Sequence, residues 1–500
     1  MPGLDESFLE LPLSGVCEAA LGRARQLGCA HAEVRVERIR TQYVAVRDGA
    51  LETSLDDTEI GIGVRVFHQG SVGFAAAASV SVEEAVRLAG EAVELAKVVS
   101  LALGGPVQLS PEPVWADAVW VAPYESDPTR VPLADKADLL ASWTSGLISS
   151  PGVDHASGSV TAVCEDKYYA DMAGTSTLQR RVRVHPVVEA VSLGGPGGFE
   201  TMRTVAPPMA RGWEGLLGAG CDIAGEVDAL PELLRERLAA PSVEPGRYNL
   251  VVDPTNLWLT IHESIGHATE LDRALGYEAA YAGTSFARPE MVGDLRYGSE
   301  LMNVVGDRTR PYGLATVGFD DEGVAAQSFD IVRDGVLVGF QLDRRIAAAA
   351  GQERSNGCAF ADSPLHAPLQ RMANVSLLSA PGGPSTEELI DGCGDGIYVV
   401  GDKSWSIDMQ RHNFQFTGQR FYAIRSGRLA GQLRDVAYQA TTTEFWGSMD
   451  GVGGEGTVVL GGAFNCGKGQ PGQVAPVGHA CPSARFCNVN VLNVRHESGR

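Results

Sequence analysis

The 500-residue sequence has no uninterrupted run of about 18 apolar residues, so no stretch of it reads as a membrane-spanning helix. Its opening, MPGLDESFLELPLSG, carries acids where a secretory signal would have a basic end and an apolar run, and the cytoplasm is therefore the expected compartment. Positive charge is scarce. Forty Lys and Arg stand against 62 Asp and Glu, a formal net charge of −22, which disfavours a nucleic-acid or anionic-membrane partner because phosphate binding needs a concentrated basic face. Only nine cysteines occur, an odd number scattered without a framework, which fits reduced thiols better than disulfides and leaves one of them free to act as a ligand. Internal repeats and low-complexity tracts are also lacking.

What is present describes a globular chain, 44% hydrophobic and 20% charged, too long for one small core and expected to form two domains. Sixty glycines and 26 prolines imply many turns and more sheet than helix bundle. The expected fold is α+β: an N-terminal α/β sheet-and-helix domain over residues 1–245, then a sheet-dominated α+β catalytic domain over residues 246–500. In the first, a helical stretch at Glu18 to Leu27 precedes alternating runs at Ala32 to Arg38 and Tyr43 to Arg47 and a turn at Asp48-Gly49. Ile60, Ile62, Val64 and Val66 alternate up to a Gln69-Gly70 turn, and Ser81 with Glu84 forms a capping-box pattern before a one-sided apolar helix. His31, His68, His155 and His185 lie apart and read as structural or surface residues. Gly194 to Gly198 and Ala206 to Pro208 read as loop, a helix is expected from Pro231 to Ala239, and Ala240 to Gly246 is the boundary. Beyond it, hairpins are expected around Asp334-Gly335 (Phe329 to Val332 with Val336 to Phe340) and Ser426-Gly427. Helices are expected at Arg344 to Ala350 and, capped by Ser385 with Glu388, at Thr386 to Ile390.

The chemistry concentrates in Asp253 to Asp272, DPTNLWLTIHESIGHATELD. After the apolar strand Tyr248 to Val252, Asp253 is placed to cap a helix with Pro254 at its first position. That helix carries His262, Glu263 and His267. Imidazoles bind Zn²⁺, and a carboxylate beside them can take a proton from water activated there. In the common H-E-x-x-H helix the histidines are four apart and share a face; here they are five apart, which on a regular helix turns them ~140° from each other. Both reach one ion only if the helix widens by one residue or ends near Gly266, where glycine eases either adjustment.

A catalytic zinc keeps three protein ligands and one open position. Glu270 lies close to His267 in sequence and is better placed to orient a ligand than to be one. His366, His412, His479 and Cys466 are all available as the third ligand, the last within the small-residue stretch Gly461 to Gln470. Four ordered blocks then carry a resemblance: IHESIGHATELDR, Asp320 to Arg345, QRMANVSLL (Gln370 to Leu378) and NCGKGQPGQ (Asn465 to Gln473). Together they resemble the TldD-type subunit of the TldD/PmbA (TldD/TldE) metalloprotease family, and the run from Ile60 through the Ser81 helix resembles that family's N-terminal domain.

The resemblance implies a two-domain zinc peptidase with the metal on His262, His267 and Cys466 and with Glu263 as general base. It implies a PmbA/TldE-like paralogous partner, in a heterodimer or else a homodimer, whose enclosed interior admits unfolded or extended peptides. Lys468, His412 and His479 are candidates for stabilising the tetrahedral oxyanion. Two rival readings are hydrolysis of a small amide or thiol conjugate, and a non-catalytic peptide-binding scaffold with structural zinc.

Overall fold

The computed structural model describes residues 3–100, 106–194, 198–469 and 471–497. The chain is a mixed α+β protein built on two seven-stranded sheets. The first sheet runs, edge to edge, through Ser71–Ala77, Ala50–His68, His31–Arg47, His155–Asp171, Ser176–Ser192 and Ala118–Val121, with Glu200–Arg203 also paired to Ser176–Ser192. Two alternating runs expected near residues 32 and 43 are one 17-residue strand. The Xaa-Gly turns at Asp48, Gln69, Asp334 and Ser426 each place both residues at positive φ, the geometry that matches strand twist in a two-residue hairpin.

Strand alternation divides the residues of this sheet between two unlike faces. Val34, Val36, Val64 and Val66 pack under the helices Leu13–Gln26 and Val82–Ser100, while Val160, Val184 and Val188 pack under Leu133–Ile148 and Ile223–Ala239. The opposite face is charged and also buried: Arg65 pairs with Glu33 and with Glu322 (2.7 Å), and Lys167 reaches Asp321 at 2.6 Å and Glu37 at 3.1 Å. Asp321 and Glu322 belong to the C-terminal half, so the charged face is where the two halves meet.

The helix expected to begin at Pro231 begins at Ile223, capped by Asp222, and contains Pro231 within it. Ile223, Val227, Leu230 and Leu234 recur at helical spacing, and their burial outweighs the bond that proline removes. Ser81 accepts the Glu84 N–H at 3.2 Å, but the Glu84 carboxylate turns to Arg87, so only half the expected capping box forms. At Ser385 and Glu388 it forms completely. The expected strand Val336 to Phe340 is ladder-paired only over Val336–Leu337. Of the loop expected at Gly194 to Gly198, residues 195–197 lie outside the described residues, as does Gln470 of the fourth block.

In the C-terminal half the strand Gly396–Ile407 pairs with Gly246–Val252 on one side and Asn413–Arg425 on the other. With Ala484–Asn493 and Val436–Thr441 these strands close into a five-membered ring of pairings. Its core is aromatic, with Phe414 stacked on Phe416 at 4.5 Å and Phe445 on Phe486 at 4.0 Å. Among the described residues no helix is long and apolar enough to cross a membrane.

Candidate metal centre

Gly246–Val252 delivers the chain to Asp253, whose carboxylate accepts the Thr255 N–H at 2.9 Å and starts the helix Pro254–Ile261, buried at every position. Asn256 on this helix donates to the carbonyls of Gly401 (2.9 Å) and Thr417 (3.0 Å) and accepts from Tyr438 (2.7 Å), which fastens the helix to the ring of strands. The helix then widens. His262–Gly266 is a single π-helical turn in which the His267 N–H reaches the His262 carbonyl, and the imidazole rings of His262 and His267 come to 4.7 Å between centroids. Carbonyls displaced by the extra residue are taken up by side chains: Tyr297 donates to Ser264 O at 2.6 Å and Gln341 to Gly266 O at 2.7 Å.

Gly266 itself has ordinary helical angles, φ −52° and ψ −61°. Its conformational freedom, the reason expected from the sequence, is therefore not what the site uses. The missing Cβ matters because it would stand 2.4 Å from Met372 Sδ.

Cys466 comes from the strand Val459–Lys468, next to a register shift between Ala463 and Cys466. Its Sγ lies 3.3 Å from His262 Nε2 and 3.5 Å from His267 Nε2. A tetrahedral zinc with ordinary Zn–N and Zn–S bonds holds sulfur and nitrogen donors about 3.5 Å apart, so the spacing fits one ion. Among the described residues this is the one group of three such donors gathered closely enough to hold a metal.

The tautomers follow from the outer bonds. His479 Nδ1 faces the Val375 carbonyl at 2.7 Å and must carry its proton, so His479 Nε2 accepts from His262 Nδ1, also at 2.7 Å. His267 Nδ1 faces Glu270 at 2.7 Å. Each imidazole therefore turns an unprotonated Nε2 toward the thiol, which is the form that ligates. Burial acts to raise the Cys466 thiol, which nevertheless lies below its ordinary value, with the Arg371 guanidinium among the groups that lower it. Burial likewise acts to raise Glu270, and Lys468, His267 and Arg273 hold it well below the usual carboxylate range.

Glu263 follows His262, and with His262, His267 and Cys466 it lines a cavity of about 280 Å³. Against its burial, the Arg411 guanidinium is among the groups that hold its carboxyl below the ordinary value. Arg411 pairs directly with Glu263 Oε2 from the turn between Gly396–Ile407 and Asn413–Arg425. That turn is closely held: Asp408 accepts the N–H groups of Gln410, His412 and Asn413, and Arg411 sits at φ +62°.

The other expected candidates fall in different places. Lys468 is enclosed by Asp272 (2.9 Å), Glu270 (3.2 Å) and Glu278 (3.3 Å) and does not line the cavity. His412, beside Arg411, packs its ring against Phe286 at 5.2 Å and also lies outside the lining. Neither is placed to meet an oxyanion there. His366 is half exposed and bonded to Asp362. His479 is fully engaged behind His262. Sequence reasoning missed Arg411 and also Arg371, which donates to the Cys466 carbonyl, and it read His185, which lines the cavity, as a structural or surface residue. Spacing gave no signal for Arg411, 148 residues from its partner.

Fold and site together define a metalloprotease. Residues 245–493 match the model for the PmbA/TldA metallopeptidase C-terminal domain and residues 32–96 that for PmbA/TldA metallopeptidase domain 1. A metalloprotease of Archaeoglobus fulgidus is 30% identical over 329 residues, 65% of this chain and 69% of that one. One from Methanothermobacter thermautotrophicus is 28% identical over 92% of this chain and 95% of its own length. A protein of Saccharolobus solfataricus named a zinc metalloprotease TldD homolog is 27% identical over 44% of this chain and 47% of its own. The crystal structure of TldE from Thermococcus kodakarensis shares the fold, with TM-score 0.70 over 95% of this chain and 99% of that one at 16% identity. The chain belongs to the TldD/PmbA family of metallopeptidases.

Proposed function

We propose that the chain is the catalytic, TldD-like subunit of a zinc-dependent peptidase that hydrolyses unfolded or extended peptides. The observation that carries this reading is the convergence of two Nε2 atoms and one thiol beside Glu263, each imidazole held in its ligating tautomer. His262, His267 and Cys466 would hold the ion, a role consistent with the zinc in the name of the Saccharolobus relative. When bound, zinc supplies a Lewis acid that polarises a peptide carbonyl and acidifies water.

Glu263 takes the proton from water and passes it to the leaving amine. Arg411 occupies one of its oxygens and leaves the other for that task, so it positions the base and does not meet substrate. Glu270 and His479 fix the two ligand rings, and Lys468 holds Glu270 ionised.

The enzyme acts, in this reading, in the cytoplasm with a PmbA/TldE-like paralogue or a second copy of itself, whose docking encloses the cavity and limits entry to unfolded chains. A division of the chain into two domains at residue 245 is supported by a large apolar core that, Val243 apart, is drawn from residues after that point and by two cores drawn wholly from residues before it.

The test is metal content and peptidase activity on the purified chain, with and without a PmbA-like partner, using an unstructured peptide. One zinc per chain and cleavage abolished by a chelator are expected. Zinc without cleavage in both preparations would remove the peptidase reading.

A further inference from the structure

The cavity beside Glu263 has a composition that the metal chemistry does not require. Its second wall comes from the N-terminal half, where Val187, Val205, Ala206 and Pro208 add apolar surface to that of Leu259, Phe464 and, at the rim, Trp405. Strand alternation sets this up. On Ser176–Ser192, Val184 and Val188 enter the helix-covered core, which turns His185 and Val187 toward the cavity. On Val459–Lys468, Phe464 and Cys466 are both buried and both line the cavity, within the stretch where the strand register shifts.

The ring of Phe464 is fixed. His185 lies 5.3 Å from it, the Arg183 guanidinium lies over it at 5.3 Å, and Val163 and Leu314 close in around it. Burial, reinforced by Arg203, brings His185 down to about 4, so it presents a neutral imidazole at ordinary pH. The other charged side chains of the lining are already paired, Arg203 with Asp402 at 3.2 Å and Glu263 with Arg411. An ionised side chain entering this space would lose water and gain no counter-ion.

Resting on the peptidase reading, we propose that the cavity takes a bulky uncharged side chain, aromatic or branched aliphatic, of the residue flanking the cleaved bond, and that the N-terminal sheet makes this selection. Pockets of this kind discriminate by about 10- to 200-fold per missing methylene-sized contact.

Trp258 and Trp405 both line the cavity and report binding without turnover. The experiment uses full-length Glu263→Gln protein and ten-residue Gly/Ser peptides with one variable residue, Phe, Leu, Ala, Lys or Glu, and reads Kd from tryptophan fluorescence. Phe and Leu peptides are expected to bind at least about 10-fold more tightly than Lys and Glu peptides. Val187→Asp in the same background should shift the preference toward Lys. Equal Kd values, tighter binding of charged peptides, or binding of none would overturn the proposal. Wild-type cleavage without preference would overturn it and leave the peptidase reading intact. Preferential binding by a chain that holds no zinc and cleaves nothing would overturn the peptidase reading alone.

Discussion

Glu263 and Arg411 form a direct ion pair, and a base held by a guanidinium is oriented at the expense of some basicity. Glu263→Gln is expected to keep its zinc and lose turnover; an active variant would sink the general-base assignment. Arg411→Ala should lower kcat by about 10- to 100-fold with KM and zinc content unchanged, and Arg411→Lys should recover part of the loss, since a misplaced catalytic group costs rate and not affinity. A change confined to KM would instead put Arg411 in contact with substrate. Cys466→Ala removes the one anionic donor and should lower zinc affinity by more than about 100-fold, read by competition with a chelator. Full occupancy in that variant would take Cys466 out of the metal site.

At the scale of the element, the π turn is the feature that makes a five-residue spacing work. Its cost is met by bonds from outside the helix, above all from Gln341, whose amide donates to Gly266 O and accepts from the Ala373 N–H at 2.8 Å. Gln341→Ala leaves the Ala373 N–H buried without its partner and the Gly266 carbonyl with only the longer Thr269 hydroxyl contact at 3.4 Å, and should lower stability by about 1–3 kcal/mol. Chemical denaturation measures this, and zinc affinity should fall with it because the turn that gathers the histidines loses its brace. Unchanged stability and zinc affinity would show that the turn holds itself.

At the scale of the whole molecule, the two halves meet across a buried layer of charge, beside a small apolar cluster of Val163, Leu314 and Phe464. Within the charged layer Asp320 accepts backbone N–H groups of Glu322, Val324 and Ala359. Burial, with Glu322 nearby, pushes its carboxyl up to about 8, against an ordinary value near 3.8. The folded chain thus holds a proton there that the unfolded chain has released, so Asp320 favours folding at low pH and its contribution declines as pH rises from about 4 to about 8. The stability of the wild type relative to Asp320→Asn should fall across that window. A constant difference would show that Asp320 is ionised throughout.

Much was settled locally, and so was legible in the sequence. The Xaa-Gly turns, the Asp253 cap and the need for the helix to widen or end near Gly266 follow from residue-by-residue backbone preferences, which need no knowledge of distant neighbours. Pro231 misled because a proline's local cost was outweighed by an apolar face assembled against another element. Arg411, Arg371 and His185 were invisible for the same reason. Each enters the site from a strand or turn far along the chain, and only tertiary packing decided that Arg411 meets Glu263 while its neighbour His412 turns away to Phe286. By itself the sequence determined which donor types were present and how the local backbone could present them. The tertiary structure decided which side chains converge, because burial and charge pairing act between residues that sequence distance does not relate.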